Sequence, residues 1–277
     1  MKYLGICMCV IGGLLGLFVL LGHWMVINTD QSAPPRKWEQ FDPQLNASTR
    51  SLPDLVAEAR RMLPDGAGKR ETMNALYWVV INRFTHQEAT HTFFGNWILY
   101  LMGWLDPAFA HIWDPGLMVE RGHSLICDQS SYLLLTLALS QGIEARHVGL
   151  NGHVVMEAWF DSDWHMYDPD LEVVPLDPYG RMLSVEKLAS TPKLLEKYYG
   201  PHGVQDIIAS REDNTYVSYP AGARFEWKAN LLALLEQWME VAKFLLPALL
   251  FAAGIGLTNR QAGHQRKCGI EPGCPDR

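Results

Sequence analysis

Cys127, His153 and Asp168 carry the side chains of this chain best suited to covalent chemistry, and they occur in that order. Cys127 is followed by Asp128-Gln129-Ser130-Ser131 and then by an apolar run, 132–139, of helical character. A thiol that opens a helix faces unsatisfied backbone N–H groups and the positive end of the macrodipole, which favours the nucleophilic thiolate. An imidazole beside it can hold the thiolate as an ion pair and then protonate a leaving amine, while a carboxylate steadies the ring. The chemistry this trio could perform is acyl transfer: attack on an amide carbonyl, then resolution of the acyl-thioester by water or by an amine. Taken singly, each residue has a plainer reading. A Cys on an apolar helix is commonly core, a His at a strand start is commonly structural, and an Asp before Pro is commonly a turn former. The polar neighbours Asp128, Gln129 and Ser130 argue against simple burial of Cys127.

The elements that must position these groups are readable in outline. Gln141-Gly142-Ile143 stops the Cys127 helix and turns the chain. Three strand-like runs follow, at 145–150, 153–160 and 164–168. In the second, Val154, Met156, Ala158 and Phe160 face one side, and His153, Val155, Glu157 and Trp159 the other. Asp161-Ser162-Asp163 makes the hairpin turn between the last two runs. A strict antiparallel register about it puts His153 opposite position 171, so a bulge, twist or longer loop must bring Asp168 to the imidazole. Upstream, apolar periodicity predicts helices at 52–62, 71–84 and 93–105, and Trp97, Tyr100, Trp104 and Trp113 read as core. Asn46-Ala47-Ser48 fits a glycosylation acceptor. His123 with Asp128 or His147 is an alternative metal set, but no paired spacing such as His-Glu-x-x-His supports it, and neither metal nor cofactor is expected.

At 277 residues and 48% hydrophobic content the chain can bury a sizeable core. Its net charge of −7 lacks the basic surplus that a phosphate backbone demands, so nucleic acid is not an expected partner. Residues 4–27 are almost wholly apolar, longer than the ~7–15-residue core of a cleavable signal, and no Ala-x-Ala site follows. They read as an uncleaved transmembrane anchor, with a cleaved signal as the alternative. A second apolar stretch, 241–257, contains Lys243 and Pro247; extended back to Leu231 it becomes long enough to span, with a docking helix as the alternative. The expected organisation is an anchor at 1–27, a linker at 28–50, a catalytic domain at 51–230, a C-terminal apolar helix at 231–257 and a polar tail at 258–277. Positive flanks at both ends favour cytoplasmic termini and an extracytoplasmic catalytic domain at the inner or plasma membrane, against the vote of Arg36, Lys37, Arg224 and Lys228. That exported region holds one cysteine, Cys127, which suits a working thiol better than a disulfide.

Four pieces of sequence now combine: Gly122-His123-Ser124-Leu125-Ile126-Cys127-Asp128 before the apolar helix, Gly142-Ile143-Glu144-Ala145-Arg146, His153-Val154-Val155-Met156-Glu157, and Trp164 followed by Asp168-Pro169. This ordered set resembles the transglutaminase-like superfamily over about residues 70–175. The resemblance implies an α+β, papain-like core of helices packed on an antiparallel sheet, and a Cys127–His153–Asp168 triad acting on peptide-type amides. There are two departures from the usual pattern: Asp170 stands where Thr is common, and Val154-Val155 where Ala-Trp is usual. Partners expected on this reading are an amide substrate and membrane lipid. Two other readings stay open at the sequence level, a non-catalytic tethered binding module and an arylamine N-acetyltransferase-like enzyme; the Arg-Gly-Gly-x-Cys signature of the latter is absent.

Overall fold

The computed structural model describes residues 2–28, 32–210, 214–218 and 227–268. The helices, in chain order, begin with α1 (Lys2–Asn28), α2 (Pro43–Ser48), α3 (Leu52–Arg61), α4 (Lys69–Arg83) and α5 (Trp97–Met102). They continue with α6 (Pro115–Arg121), α7 (Cys127–Ser140), α8 (Val185–Ala189), α9 (Pro192–Tyr199), α10 (Gln205–Ala209) and α11 (Trp227–Cys268). The strands are β1 (Thr85–His86), β2 (Ser124–Leu125), β3 (Glu144–Gly149), β4 (Val154–Phe160), β5 (Asp163–Tyr167) and β6 (Thr215–Ser218). The chain divides into two compact units. One groups Met1–Thr29, His91–Ala110 and Leu235–Arg277; the other groups Asp30–Thr90 and His111–Leu234.

The second unit is α+β. Its main sheet is antiparallel, in the order β5-β4-β3-β6. Ala145, Met156, Ala158 and Phe160 join the leucines of α7 and the apolar face of α4 in one buried cluster. Val148, Val155 and Met166, on the opposite face, join residues of α8, α9 and α10 in another. The alternation read from β4 is therefore the observed one, and it buries both faces of the sheet. Local signals set the helices. Ser51 caps α3, whose Leu55 and Ala59 are buried one turn apart. Gly142, at φ +70, ends α7 in the left-handed conformation, and the N–H of Ile143 reaches back to the Ala138 carbonyl. The expected linker holds a helix of its own, α2, capped by Asp42. Within it Asn46 is buried and its amide donates to Ser32 Oγ at 2.7 Å, so the acceptor triplet is not presented for glycosylation.

The first unit is helical. Two of its helices contain stretches long and apolar enough to cross a membrane, Tyr3–Val26 and Leu231–Arg260, with mean hydropathies of 2.7 and 1.9. At ~1.5 Å per residue each exceeds the ~30 Å of a hydrocarbon layer. Small residues let them approach: a methyl at Gly12 would meet Phe251 N at 2.6 Å, and one at Gly254 would meet Gly5 O at 2.6 Å. Pro247 deprives the Lys243 carbonyl of its usual helical donor, and the indole N–H of Trp97 points at that oxygen instead, at 3.4 Å. The helix expected over 93–105 is only Trp97–Met102, between the Asn96 cap and Gly103. Nor is this aromatic segment core: Trp104 and Leu105 are 73% and 86% exposed, and Phe93 and Phe94 pack on Phe18 of α1 while staying partly open. Aromatic density says that a surface is apolar, not which medium covers it. The expected apolar helix at 231–257 is part of the longer α11, which runs into the expected polar tail. Cys274, and with it any pairing to Cys268, lies outside the described residues.

Candidate active site

Cys127 is the first residue of α7, after an extended Ile126. Gln129 holds this helix start in place. Its Oε1 accepts from Ala89 N at 2.9 Å, and its Nε2 donates to the carbonyls of Ala89 and Ile112 at 2.9 and 3.0 Å. Ser131, one turn on, donates from Oγ to the Val154 carbonyl at 3.1 Å, tying the thiol-bearing helix to the strand that His153 precedes. His153 itself closes the β3–β4 hairpin. Its carbonyl accepts from Leu150 N at 2.8 Å, and Gly152, at φ +94, makes the reversal.

Asp168 reaches His153 by a route that strict register did not anticipate. The β4–β5 turn has two residues, not three: Phe160 pairs with Asp163, and Asp161 and Ser162 sit at φ +51 and +62, as a type I′ hairpin requires. After Tyr167 the chain folds back, with the Asp168 backbone pairing with that of Val173. This loop carries the carboxylate diagonally across to the imidazole, and His153 Nε2 lies 2.8 Å from Asp168 Oδ2. The Cys127 sulfur and a His153 ring nitrogen lie within 4.8 Å of each other. The structure thus brings all three sequence-predicted residues together.

The carboxylate is fully buried and well supplied with donors. Oδ2 also accepts from Tyr199 OH at 2.9 Å, and Oδ1 accepts from the N–H groups of Asp170 and Leu171, both at 3.1 Å. Burial alone would raise its pKa, but the charge and hydrogen bond of His153, with these donors, hold it below the usual carboxylate value. For His153 burial disfavours the cation, yet Asp168, by charge and hydrogen bond, and the Cys127 contact outweigh it and push the imidazole up to about 11. That shift favours the imidazolium, the form that would pair with a thiolate. Burial pushes the phenol of Tyr199 well up, so it stays a donor.

Comparison with family models, with curated proteins and with solved structures returns no match. What the site can do must be argued from its own groups. Three of those groups were not identified from sequence. Tyr199 is buried and serves Asp168. Asp170, noted only as a departure from a pattern, lies with one carboxylate oxygen 4.0 Å from His153 Nδ1. Its other oxygen lies 2.5 Å from His86 Nδ1, off the line that a hydrogen bond needs. Burial raises the pKa of Asp170 against the opposing contact with His86. His86 is brought there by the short parallel pair of β1 and β2, in which Thr85 pairs with Ser124.

Two sequence motifs prove architectural. Arg146 Nε donates to the buried Glu157 at 2.7 Å, and the guanidinium is stacked on Trp164 and Tyr216, while the other Glu157 oxygen accepts from Val185 N at the start of α8. Among the described residues the cluster of candidate metal donors is Cys127, His153 and Asp170, not the set built on His123 and His147.

Proposed function

We propose that this protein is a membrane-anchored, transglutaminase-like cysteine enzyme that cleaves or transfers acyl groups of peptide-type amides. One observation carries the reading: the His153 imidazole is bonded to the buried Asp168 carboxylate at one nitrogen and lies within 4.8 Å of a thiol at a helix N-terminus. A helix that carries the nucleophile, packed on an antiparallel sheet that supplies His and then Asp from successive strands, is the arrangement expected of a papain-like core. The two apolar helices serve as membrane spans, with the thiol-bearing unit outside.

In this scheme the Cys127 thiolate attacks the carbonyl carbon, and the oxyanion is met by backbone N–H groups at the start of α7. His153 gives its proton to the leaving amine as the C–N bond breaks, leaving an acyl-thioester and a neutral imidazole. Water or an incoming amine then loses a proton to His153 as it attacks the thioester, and Cys127 departs as thiolate. Asp168 keeps the ring in the productive tautomer throughout.

The test is alkylation of Cys127 in the full-length protein in detergent, with a chelator present, read by mass spectrometry of its peptide across about pH 5 to 9. Wild type should react rapidly well below the ~8.5 of an ordinary thiol. His153→Ala should lose that reactivity. Equal and ordinary rates in both proteins would overturn the proposal.

A further inference from the structure

Cys127 and His153 meet a residue from outside the triad, Asp170, so that a sulfur, a ring nitrogen and a carboxylate oxygen all lie within 4.8 Å of one another. We propose that these three side chains form a binding site for a borderline-soft divalent cation of the zinc class. Occupancy and acyl transfer are then mutually exclusive, because both need the Cys127 sulfur. This goes beyond the activity proposed above and stands on the donor set alone.

The donors are of the right kinds. Thiolate, imidazole and carboxylate together select a zinc-like ion over calcium or magnesium, which prefer all-oxygen sites. Their spacing is close to what coordination needs: metal–ligand bonds of ~2.0–2.3 Å place tetrahedral donors roughly 3–4 Å apart, and His153 Nδ1 is 4.0 Å from Asp170 Oδ2. The surrounding groups also match. Metal-bound imidazoles typically give their second nitrogen to a carboxylate, and His153 Nε2 is bonded to Asp168 at 2.8 Å, leaving Nδ1 as the ligating atom. Asp168 is fixed in turn by Tyr199 and two backbone N–H groups. The far oxygen of Asp170 lies 2.5 Å from His86 Nδ1.

Electrostatics points the same way. A carboxylate buried this near the sulfur repels a thiolate, and a divalent cation between them turns that repulsion into ligation. Three protein ligands leave a fourth position for water. The pattern is invisible as a motif because Asp170 joins Cys127 only through the fold-back at 168–173.

The experiment uses full-length protein in detergent with Cys7, Cys9, Cys268 and Cys274 replaced by Ser, titrated metal-free with Co²⁺ and then with Zn²⁺ as competitor. One Co²⁺ per chain should bind with a near-ultraviolet thiolate charge-transfer band that Zn²⁺ abolishes. Cys127→Ala should lose the band. Asp170→Asn and His86→Ala should each weaken binding at least ~10-fold, with circular dichroism reporting that each variant is folded. Should Asp170→Asn not fold, His86→Ala and the shielding of wild-type Cys127 from iodoacetamide by Zn²⁺ decide the question in its place. Absence of the band, or affinity unchanged in these variants, overturns the site. The two proposals fail separately: His153-dependent alkylation without metal binding removes only this inference, and metal binding without such alkylation removes only the enzymatic reading.

Discussion

His153 meets Asp168 at 2.8 Å in the sheet-bearing unit, and His91 Nε2 meets Glu236 Oε1 at 2.6 Å in the helical unit; both pairs are buried. Their surroundings differ. Around His91 the polar groups are engaged in holding backbone: Lys243 bonds the Gly95 carbonyl at 2.7 Å and Glu240 at 2.8 Å, and Asn96 bonds Glu240 while capping α5. Beside His153, within 4.8 Å of a ring nitrogen, lies the sulfur of Cys127, which is only partly buried. A buried histidine–carboxylate pair by itself shows only that two polar groups needed partners in a place water does not reach. A reactive atom left open beside it makes one of them a candidate catalyst.

The comparison can be broken most decisively at the sulfur. Cys127→Ala should reduce acylation by an activated-ester probe, read as intact mass, by on the order of 10⁴-fold or more, while Glu236→Ala leaves it near the wild-type rate. If the two variants behaved alike, the pairs would not differ in kind.

Stability should respond alike in the two pairs. Asp168→Ala and Glu236→Ala each remove one partner of a buried pair and should each cost about 3–5 kcal/mol in thermal or denaturant unfolding. Only the first should also slow Cys127 alkylation. Tyr199→Phe removes one hydrogen bond to a charged group, so it should cost about 1.5–3 kcal/mol, and a neutral result would mean that Asp168 is held by its other donors.

Stability should also follow pH. His153 has its folded value raised to about 11, so the stabilisation it contributes is complete below the unfolded value near ~6.5 and is lost as pH rises toward about 11. His153→Gln should flatten that alkaline limb of an unfolding-versus-pH curve. His147 runs the other way. Burial depresses it to about 3, so the unfolded chain takes up its proton first and stability falls as pH drops from ~6.5 toward about 3. His147→Asn should lessen that acid limb.

Local order was legible because it is written in neighbouring residues. The start of α7 at Cys127, its stop at Gly142, the strands near 145–150, 153–160 and 164–168, and the two faces of β4 all follow from periodicity and turn chemistry. The nearness of Asp168 to His153 was legible only as a need, since register pointed past it.

By itself, then, the sequence determined the thiol-bearing helix and the three strands after it, the two faces of β4, and that two segments are apolar over membrane-spanning lengths. Those properties depend on residues a few positions apart. Only the tertiary structure decided that the chain folds back after Tyr167, that Tyr199 anchors Asp168, that Asp170 borders the thiol and His86 borders Asp170, and that 91–110 belongs with the terminal helices rather than within a continuous 51–230. Each of these joins side chains distant along the chain, and hydrophobic pattern records the face on which a residue lies but not the remote partner it will meet there.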